Sequence, residues 1–113
     1  MQFSESLKKN HQFLFVYKNG KSRANKYLVM YVKENGLGIN RIGISVSKKV
    51  GNSVIRHRIT RLIRESYRLH ENIFNSGLDI VVIARNNASS VSDFEIESAL
   101  LHLAKLHQIL TDR

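Results

Sequence analysis

Arginine side chains gathered in one short segment are the residues of this sequence best suited to chemistry. Residues 41–68 hold eight lysines and arginines and one acid, so the segment carries a formal charge of +7 out of the chain's +9. The guanidinium group is a planar fork that binds phosphate through two hydrogen bonds and stacks on unpaired bases. Charge concentrated in this way favours a polyanionic ligand, whereas scattered charge would mainly promote solubility. The chemistry indicated is therefore recognition of nucleic acid.

A helix over residues 53–70 would separate these cations from an apolar face, since successive side chains turn by about 100°. The apolar arc, predicted to pack against a sheet, comprises Ile55, Ile59, Leu62, Ile63, Ser66 and Leu69. The opposite arc comprises Arg56, His57, Thr60, Arg61, Arg64 and Arg68, with Arg58 at its edge. A helix surface that only faces solvent usually mixes charges of both signs. Because the basic arc contains no acid, we predict a binding surface.

Residues able to catalyse a reaction are sparse in comparison. A two-metal nuclease needs clustered carboxylates, but the nine acids are dispersed along the chain. The absence of cysteine excludes disulfides and thiolate metal sites. Five histidines leave open a general acid and base pair, as in metal-free ribonucleases, although we favour His57 as a nucleic-acid contact and His102 and His107 as ordinary helix residues. No catalytic residue or metal site is therefore predicted in this protein.

Composition bounds the remaining possibilities. A chain of 113 residues, 42% of them hydrophobic, is expected to form one domain spanning residues 1–113. No apolar run reaches the length of about 18 residues that a membrane helix needs, and the polar N-terminus is unlike a secretory signal. The pI near 10.2 fits nucleic acid better than an anionic membrane, which would need an exposed apolar stripe beside the charges. We expect a cytoplasmic protein with no membrane partner.

The elements that must position the basic segment follow from hydrophobic periodicity and turn residues. Helices are predicted over residues 10–18, ending near Gly20, over residues 53–70, and from the capping box at Ser92 onward, with Leu100, Leu103, Leu106 and Leu110 on the inner face of the last. Strands are predicted over residues 27–32, 41–47 and 79–85, with a turn at residues 19–22. The second strand should have one buried and one open face, and the third should be covered on both sides.

The predicted fold is an α/β (α+β) sandwich in which a mixed sheet of roughly four strands packs against helices. The order is α-β-β-α-β-α, with room for an additional short strand. The strand–helix–strand sequence over residues 41–85 indicates a parallel pair of strands. The β-α-β crossover between them would carry the arginine-rich helix.

A resemblance to a known family arises at the start of this helix. Gly51-Asn52, followed by Arg56-His57-Arg58, Arg61 and Arg64-Glu65, resembles the signature of the bacterial ribonuclease P protein component. Flanking residues are similar as well: Phe13 and Tyr17, Ala24-Asn25, and Ile83-Ala84-Arg85. Two positions depart from the family pattern, because His57 stands where asparagine is usual and Thr60 stands where lysine is usual. The second departure removes one cation from the basic arc.

The resemblance implies a subunit of an endoribonuclease whose catalyst is RNA. That RNA uses Mg²⁺ to cleave precursor tRNA and leave a mature 5′ end, so no catalytic residue is expected in the protein. The residues implied to bind the catalytic RNA are Lys49, Asn52, Arg56, His57, Arg58, Arg61, Arg64 and Arg68. The residues implied to bind the single-stranded 5′ leader of precursor tRNA are Phe13, Tyr17, Tyr31, Ser45, Ser47 and Lys48.

Two alternatives remain open on sequence alone. A small basic ribosomal-type protein could scaffold folded RNA without a role in cleavage, and a lone arginine-rich helix could enter a DNA major groove. The aromatic residues discriminate between these functions, because only a protein that holds free single strands needs a stacking cleft. Phe13 and Tyr17, four residues apart on a helix, would equally suit a hydrophobic core. Their exposure in the folded chain is therefore decisive.

Overall fold

The computed structural model describes residues 4–111. Its strands form one mixed five-stranded sheet in the order β1-β4-β5-β3-β2. The elements are β1 (Ser4–Ser6), α1 (Asn10–Asn19), β2 (Lys21–Ala24), β3 (Leu28–Glu34), β4 (Asn40–Ser45), α2 (Ser53–His70), β5 (Leu78–Ala84) and α3 (Asp93–Leu106), with 3₁₀ turns at Glu71–Ile73 and Asn86–Ala88. None of the helices within residues 4–111 has both the length and the apolar character needed to span a bilayer.

The predicted fold class is confirmed. β4 and β5 are parallel neighbours and α2 connects them, so the β-α-β crossover does carry the arginine-rich helix. β3 is antiparallel to β5, β2 is antiparallel to β3, and β1 is parallel to β4. The sheet has five strands instead of about four. The turn predicted over residues 19–22 was wrong in its second half, because Lys21 and Ser22 belong to β2. This edge strand could not be recognised in the sequence, because every one of its residues is exposed and it has no hydrophobic alternation.

The central strand β5 is covered on both faces, as its apolar run predicts. Ile80 and Val82 contribute to the main core, which lies between the sheet and the pair α2 and α3. Val81 points to the opposite face, where it joins Leu7 and Val16 in a smaller cluster under α1. The sheet therefore has helices on both sides, and the α1 side is the less completely filled.

The boundaries of α2 agree with the predicted helix. Asn52 caps its start, since the Asn52 side chain accepts a hydrogen bond from the Ile55 amide at 3.0 Å. The predicted inner arc was wrong at its end, because Leu69 is 55% exposed. Tyr67 is buried instead, since it lies about 40° from the buried Ile63 around the helix whereas Leu69 lies about 120° away.

The last helix begins at the predicted capping box, in which Ser92 and Glu95 bond each other's backbone amides. Its inner face includes the buried Leu100 and Leu103. The prediction was wrong at Leu106, which is exposed, and at Leu110, which lies beyond the helix. The reason is that α3 ends at Leu106 and Gln108 then adopts a positive φ of 58°, which redirects the chain.

Candidate RNA interface

One side of α2 forms a continuous basic surface. A groove of about 570 Å³ runs along it, and its lining residues, which we call the basic surface, are Val54, His57, Arg58, Thr60, Arg61 and Arg64. These positions follow one another at three- and four-residue spacing, so they lie on one stripe of the helix. The structure thus brings together four of the residues predicted to bind the catalytic RNA: His57, Arg58, Arg61 and Arg64.

The arginines of α2 differ in what they already contact. Arg58 donates a hydrogen bond to the Val91 carbonyl, which ties α2 to the loop before α3. Arg68 pairs with Glu65 one turn away, and this hydrogen bond is the main reason why the pKa of Glu65 is lowered. Within residues 4–111, the guanidinium groups of Arg61 and Arg64 donate no hydrogen bond. Among the exposed arginines of α2, these two are therefore the ones most available to phosphate.

Three other predicted contacts lie away from the basic surface. Asn52 is exposed, but its side-chain oxygen is engaged in capping α2. Arg56 is half-buried, and its Nε atom lacks a hydrogen-bond partner within residues 4–111. Lys49 is exposed in the turn that precedes the helix. Thr60, which stands where the family usually has lysine, is bound to the helix backbone, because its hydroxyl donates to the Arg56 carbonyl at 2.8 Å.

The predicted leader-binding aromatics form a second surface on the opposite face of the sheet. Phe13 and Tyr17 come from α1, and Tyr31 comes from β3. The ring centroids of Tyr17 and Tyr31 are 5.0 Å apart in a T-shaped arrangement, and those of Phe13 and Tyr17 are 6.4 Å apart. All three rings are half-buried and pack against the small cluster under α1. This aromatic cluster (Phe13, Tyr17 and Tyr31) is thus both part of a core and open to solvent.

Ser45 connects the aromatic cluster to the end of β4. Burial raises the pKa of Tyr17, and a side-chain hydrogen bond with Ser45 partly opposes this effect. The Tyr17 hydroxyl therefore stays protonated near neutral pH and can donate to a ligand. Ser47 and Lys48 follow in the next turn and are exposed. The six predicted leader-binding residues accordingly lie along one path from α1 to the loop before α2.

Gly43 of β4 is a residue that sequence reasoning missed. A Cβ atom built there would lie 2.6 Å from Cε1 of Phe13, a distance too short for any side chain. The face of β4 predicted to be open is therefore partly covered by Phe13. The absence of a side chain at position 43 leaves room for this ring over the strand, and no local pattern signals it.

Replacing Gly43 by alanine should lower the unfolding free energy by about 1–3 kcal/mol, because the Phe13 ring must move. Urea unfolding would measure the loss. The matched control is Gly38→Ala, since a Cβ at position 38 meets no atom within 4 Å. In a double-mutant cycle, Phe13→Ala should cost less in the Gly43→Ala background than in the natural chain. Simple additivity of the two losses would contradict this account.

A further cation lies where the strands β4 and β5 end. Arg85 follows β5 and lines a groove of about 490 Å³ with Ser47, Ile83, Ala84, Asn86 and Asn87. Its Nη1 donates to the Asn25 carbonyl at 2.8 Å. Arg85 was not predicted from the sequence to belong to a site. Its position directly after a predicted strand could have indicated a site, since the carboxyl ends of parallel strands meet at one edge of a sheet.

Acidic and histidine residues are not gathered in the same way. Within residues 4–111, no group of three or more His, Cys, Asp or Glu side chains is placed to hold a metal ion. His102 lies exposed on α3. His107 follows the end of that helix, and its ring nitrogen Nε2 lies 2.9 Å from the Met30 carbonyl in β3. Burial is the main cause that lowers the pKa of His107.

Comparison with known sequences identifies a family. The family model for Ribonuclease P matches residues 1–108. A ribonuclease P protein component from Lachnoclostridium phytofermentans is 69% identical over 108 residues, which cover 96% of this chain and 93% of that relative. Another from Alkaliphilus metalliredigens is 51% identical over 111 residues, which cover 98% of this chain and all of that relative (100%).

Solved structures give the same result. The RNase P protein of Staphylococcus aureus is 39% identical with a TM-score of 0.87, covering 94% of this chain and 97% of that one. The RNase P protein of Thermotoga maritima is 35% identical with a TM-score of 0.83, covering 90% and 96%. The resemblance seen in the sequence is therefore confirmed: the chain belongs to the bacterial ribonuclease P protein component family.

Proposed function

We propose that this chain assists a catalytic RNA in the endonucleolytic removal of the 5′ leader from precursor tRNA, by binding both the RNA and the leader. The observation that carries this proposal is the presence of two chemically different surfaces on one small domain. The basic surface lies on α2, and the half-buried aromatic cluster lies across the sheet from it. The turn at residues 46–52 joins them, and it contributes the exposed Lys48 and Lys49.

The basic surface is proposed to contact the catalytic RNA. Its guanidinium groups are anchored on a helix whose other side is buried, so they are held at fixed spacing. Phosphates of a folded RNA present matching fixed charges, and each neutralised phosphate releases condensed counterions. Arg61 and Arg64 are the main candidates, because Arg58 and Arg68 already have partners within the protein.

The aromatic cluster is proposed to hold the leader. Base stacking on aromatic faces depends little on base identity, which suits leaders of varied sequence. The neutral Tyr17 hydroxyl and the hydroxyl of Ser45 add hydrogen bonds to a backbone or base edge. Lys48 and Arg85 lie at the open end of this path and would neutralise leader phosphates. A protein that only scaffolds folded RNA would have no use for half-open rings at this position.

Catalysis and Mg²⁺ binding are proposed to reside in the RNA component. Several acids of this chain already serve its own structure. Asp79 accepts two hydrogen bonds from Arg41, each 2.7 Å long, and Glu95 completes the capping box of α3. The role left to the protein is to neutralise phosphate charge and to position the leader, which would lower the Mg²⁺ concentration that the RNA requires. Such a role belongs to the cytoplasm, where tRNA is processed.

Precursor tRNA cleavage by a bacterial ribonuclease P RNA at low Mg²⁺ tests this function. We expect the chain to stimulate cleavage strongly at low Mg²⁺ and only weakly at high Mg²⁺. Polylysine at equal total charge is the control for general neutralisation of phosphate. A lack of stimulation, or equal stimulation by polylysine, would contradict the proposal and favour the scaffold function.

A further inference from the structure

An unusually exposed phenylalanine stands at the start of α3. Phe94 is 76% exposed, so its ring contributes little to the core. It borders a groove of about 340 Å³ on the side of α3 that faces the start of β3. The lining residues, which we call the α3 groove, are Asn25, Lys26, Tyr27, Phe94, Glu95, Ser98, Ala99 and His102. None of these residues belongs to the basic surface or to the aromatic cluster.

The α3 groove continues the proposed leader path. Arg85, at the open end of that path, donates from Nη1 to the Asn25 carbonyl and from its backbone amide to the Tyr27 carbonyl, both at 2.8 Å. Asn25 and Tyr27 both line the α3 groove, whereas Arg85 lines the groove beside Ser47. A strand leaving the aromatic cluster past Arg85 would therefore reach the α3 groove by passing around the end of the sheet, where β5 ends and β3 begins.

The chemistry of the α3 groove suits an unpaired nucleotide. Phe94 and the exposed His102 both line the groove with aromatic rings, and the Lys26 ammonium lies 5.2 Å from the Tyr27 ring centroid. This cation is exposed and is placed to meet a phosphate. The carboxylate of Glu95 is the one negative charge among the lining residues. Both of its oxygens are engaged, by the Tyr27 hydroxyl and by Ser92.

The other flank of Phe94 limits where a polyanion can run. A second groove of about 470 Å³ lies there, and Glu65, Asp93 and Glu97 are its charged lining residues. Glu65 pairs with Arg68 and Glu97 lies 3.3 Å from His70 Nε2, and Asp93 leaves this flank with a net negative charge that disfavours phosphates. An RNA strand that reaches Phe94 is therefore directed to the Lys26 side of the ring.

We propose that the α3 groove is a second site for single-stranded RNA, which stacks an unpaired base on Phe94 and continues the path of a long 5′ leader. This inference rests on the proposed function of the aromatic cluster. It assigns binding to nucleotides farther from the cleavage site than those held by the aromatic cluster. Short leaders would end before the α3 groove, and only long leaders would gain affinity from it.

The test compares precursor tRNAs with leaders of about 4 and about 16 nucleotides, the limits of single-strand site sizes. Their dissociation constants are measured with the holoenzyme reconstituted from a bacterial ribonuclease P RNA. Phe94→Ala should weaken binding of the long-leader substrate by about fivefold or more and leave the short-leader substrate unchanged. Lys26→Glu should show the same dependence on length. Since both side chains are exposed, urea unfolding should confirm that neither variant loses stability.

Phe15→Ala is the matched control, because Phe15 is 50% exposed and lines a pocket on the other side of the sheet with His11 and Asp79. It should not alter either affinity. Equal effects of Phe94→Ala on both leaders, or none, would overturn the proposal. The proposal would also be overturned if Phe94→Ala changed only the self-association of the protein, and Phe94 would then belong to a protein interface. If the aromatic cluster did not bind the leader, the result would be different: Phe13→Ala and Tyr17→Ala would leave the affinity for the short-leader substrate unchanged.

Discussion

Replacing Arg61 and Arg64 together by alanine should weaken assembly with the catalytic RNA by about 3 kcal/mol, which is more than 100-fold. The two guanidinium groups lie on the basic surface and donate no hydrogen bond within residues 4–111, so their loss removes phosphate contacts without disturbing the protein. Each lost contact should also reduce the slope of log affinity against log salt by roughly 0.7–0.9. Filter binding of the RNA across a salt series measures both quantities.

Arg68→Ala is the matched control on the same helix. The Arg68 guanidinium already pairs with Glu65 on the protein surface, and such exposed pairs add little to stability. RNA would have to compete for this cation, so we expect a smaller loss of affinity and a smaller change of slope. An unchanged slope after Arg61→Ala and Arg64→Ala would remove these residues from the phosphate contacts. If the three replacements had equal effects, pairing with Glu65 would not make Arg68 less available to RNA than Arg61 and Arg64.

The second large effect is expected at the aromatic cluster. Phe13→Ala combined with Tyr17→Ala should weaken binding of precursor tRNA by about 2 kcal/mol or more, since stacking contributes about 1–3 kcal/mol per base. Mature tRNA lacks the leader, so its binding should be almost unchanged. Fluorescence titration of the holoenzyme with both tRNAs measures the difference. Equal losses for precursor and mature tRNA would show that these rings serve only the core.

Tyr17→Phe separates stacking from hydrogen bonding at this site. The variant keeps the ring 5.0 Å from that of Tyr31 but loses the hydroxyl. We expect it to retain most of the precursor preference. Urea unfolding of both variants is needed beside the titrations, because the rings also pack against the buried Val16 and Val81.

Much of this molecule follows from periodic patterns in the sequence. The limits of α2, the capping box at Ser92 and the double cover of β5 were predicted because each depends on residues close together in the chain. The basic surface follows for the same reason, since three arginines and a histidine at helical spacing must share one side. The aromatic cluster could not be predicted from local patterns alone, because Tyr31 of β3 contacts Tyr17 of α1 only once the sheet has formed.

The features that could not be predicted depend on contacts between distant residues. The Arg58 guanidinium binds the Val91 carbonyl, 33 positions away, and Gly43 is needed because Phe13 lies over it. The buried Tyr67 hydroxyl finds its partners far away in the chain, 2.7 Å from that of Ser4 and 3.2 Å from the Asn40 amide nitrogen. No local pattern encodes such partners. The edge strand β2 was missed because pairing with β3 alone defines it.

The short turn between β4 and α2 has a consequence for where cleavage occurs. Seven residue steps separate Ser45, beside Tyr17, from Asn52 at the start of α2, so the chain cannot stretch beyond about 25 Å between them. The buried Val50 holds this turn against the core. Under the proposed function, covalent geometry thus keeps the leader-binding end of β4 within about 25 Å of the start of the helix that contacts the catalytic RNA. The cut would then be specified by a length and not by the bases of the leader, which lets one protein serve every precursor tRNA in the cell.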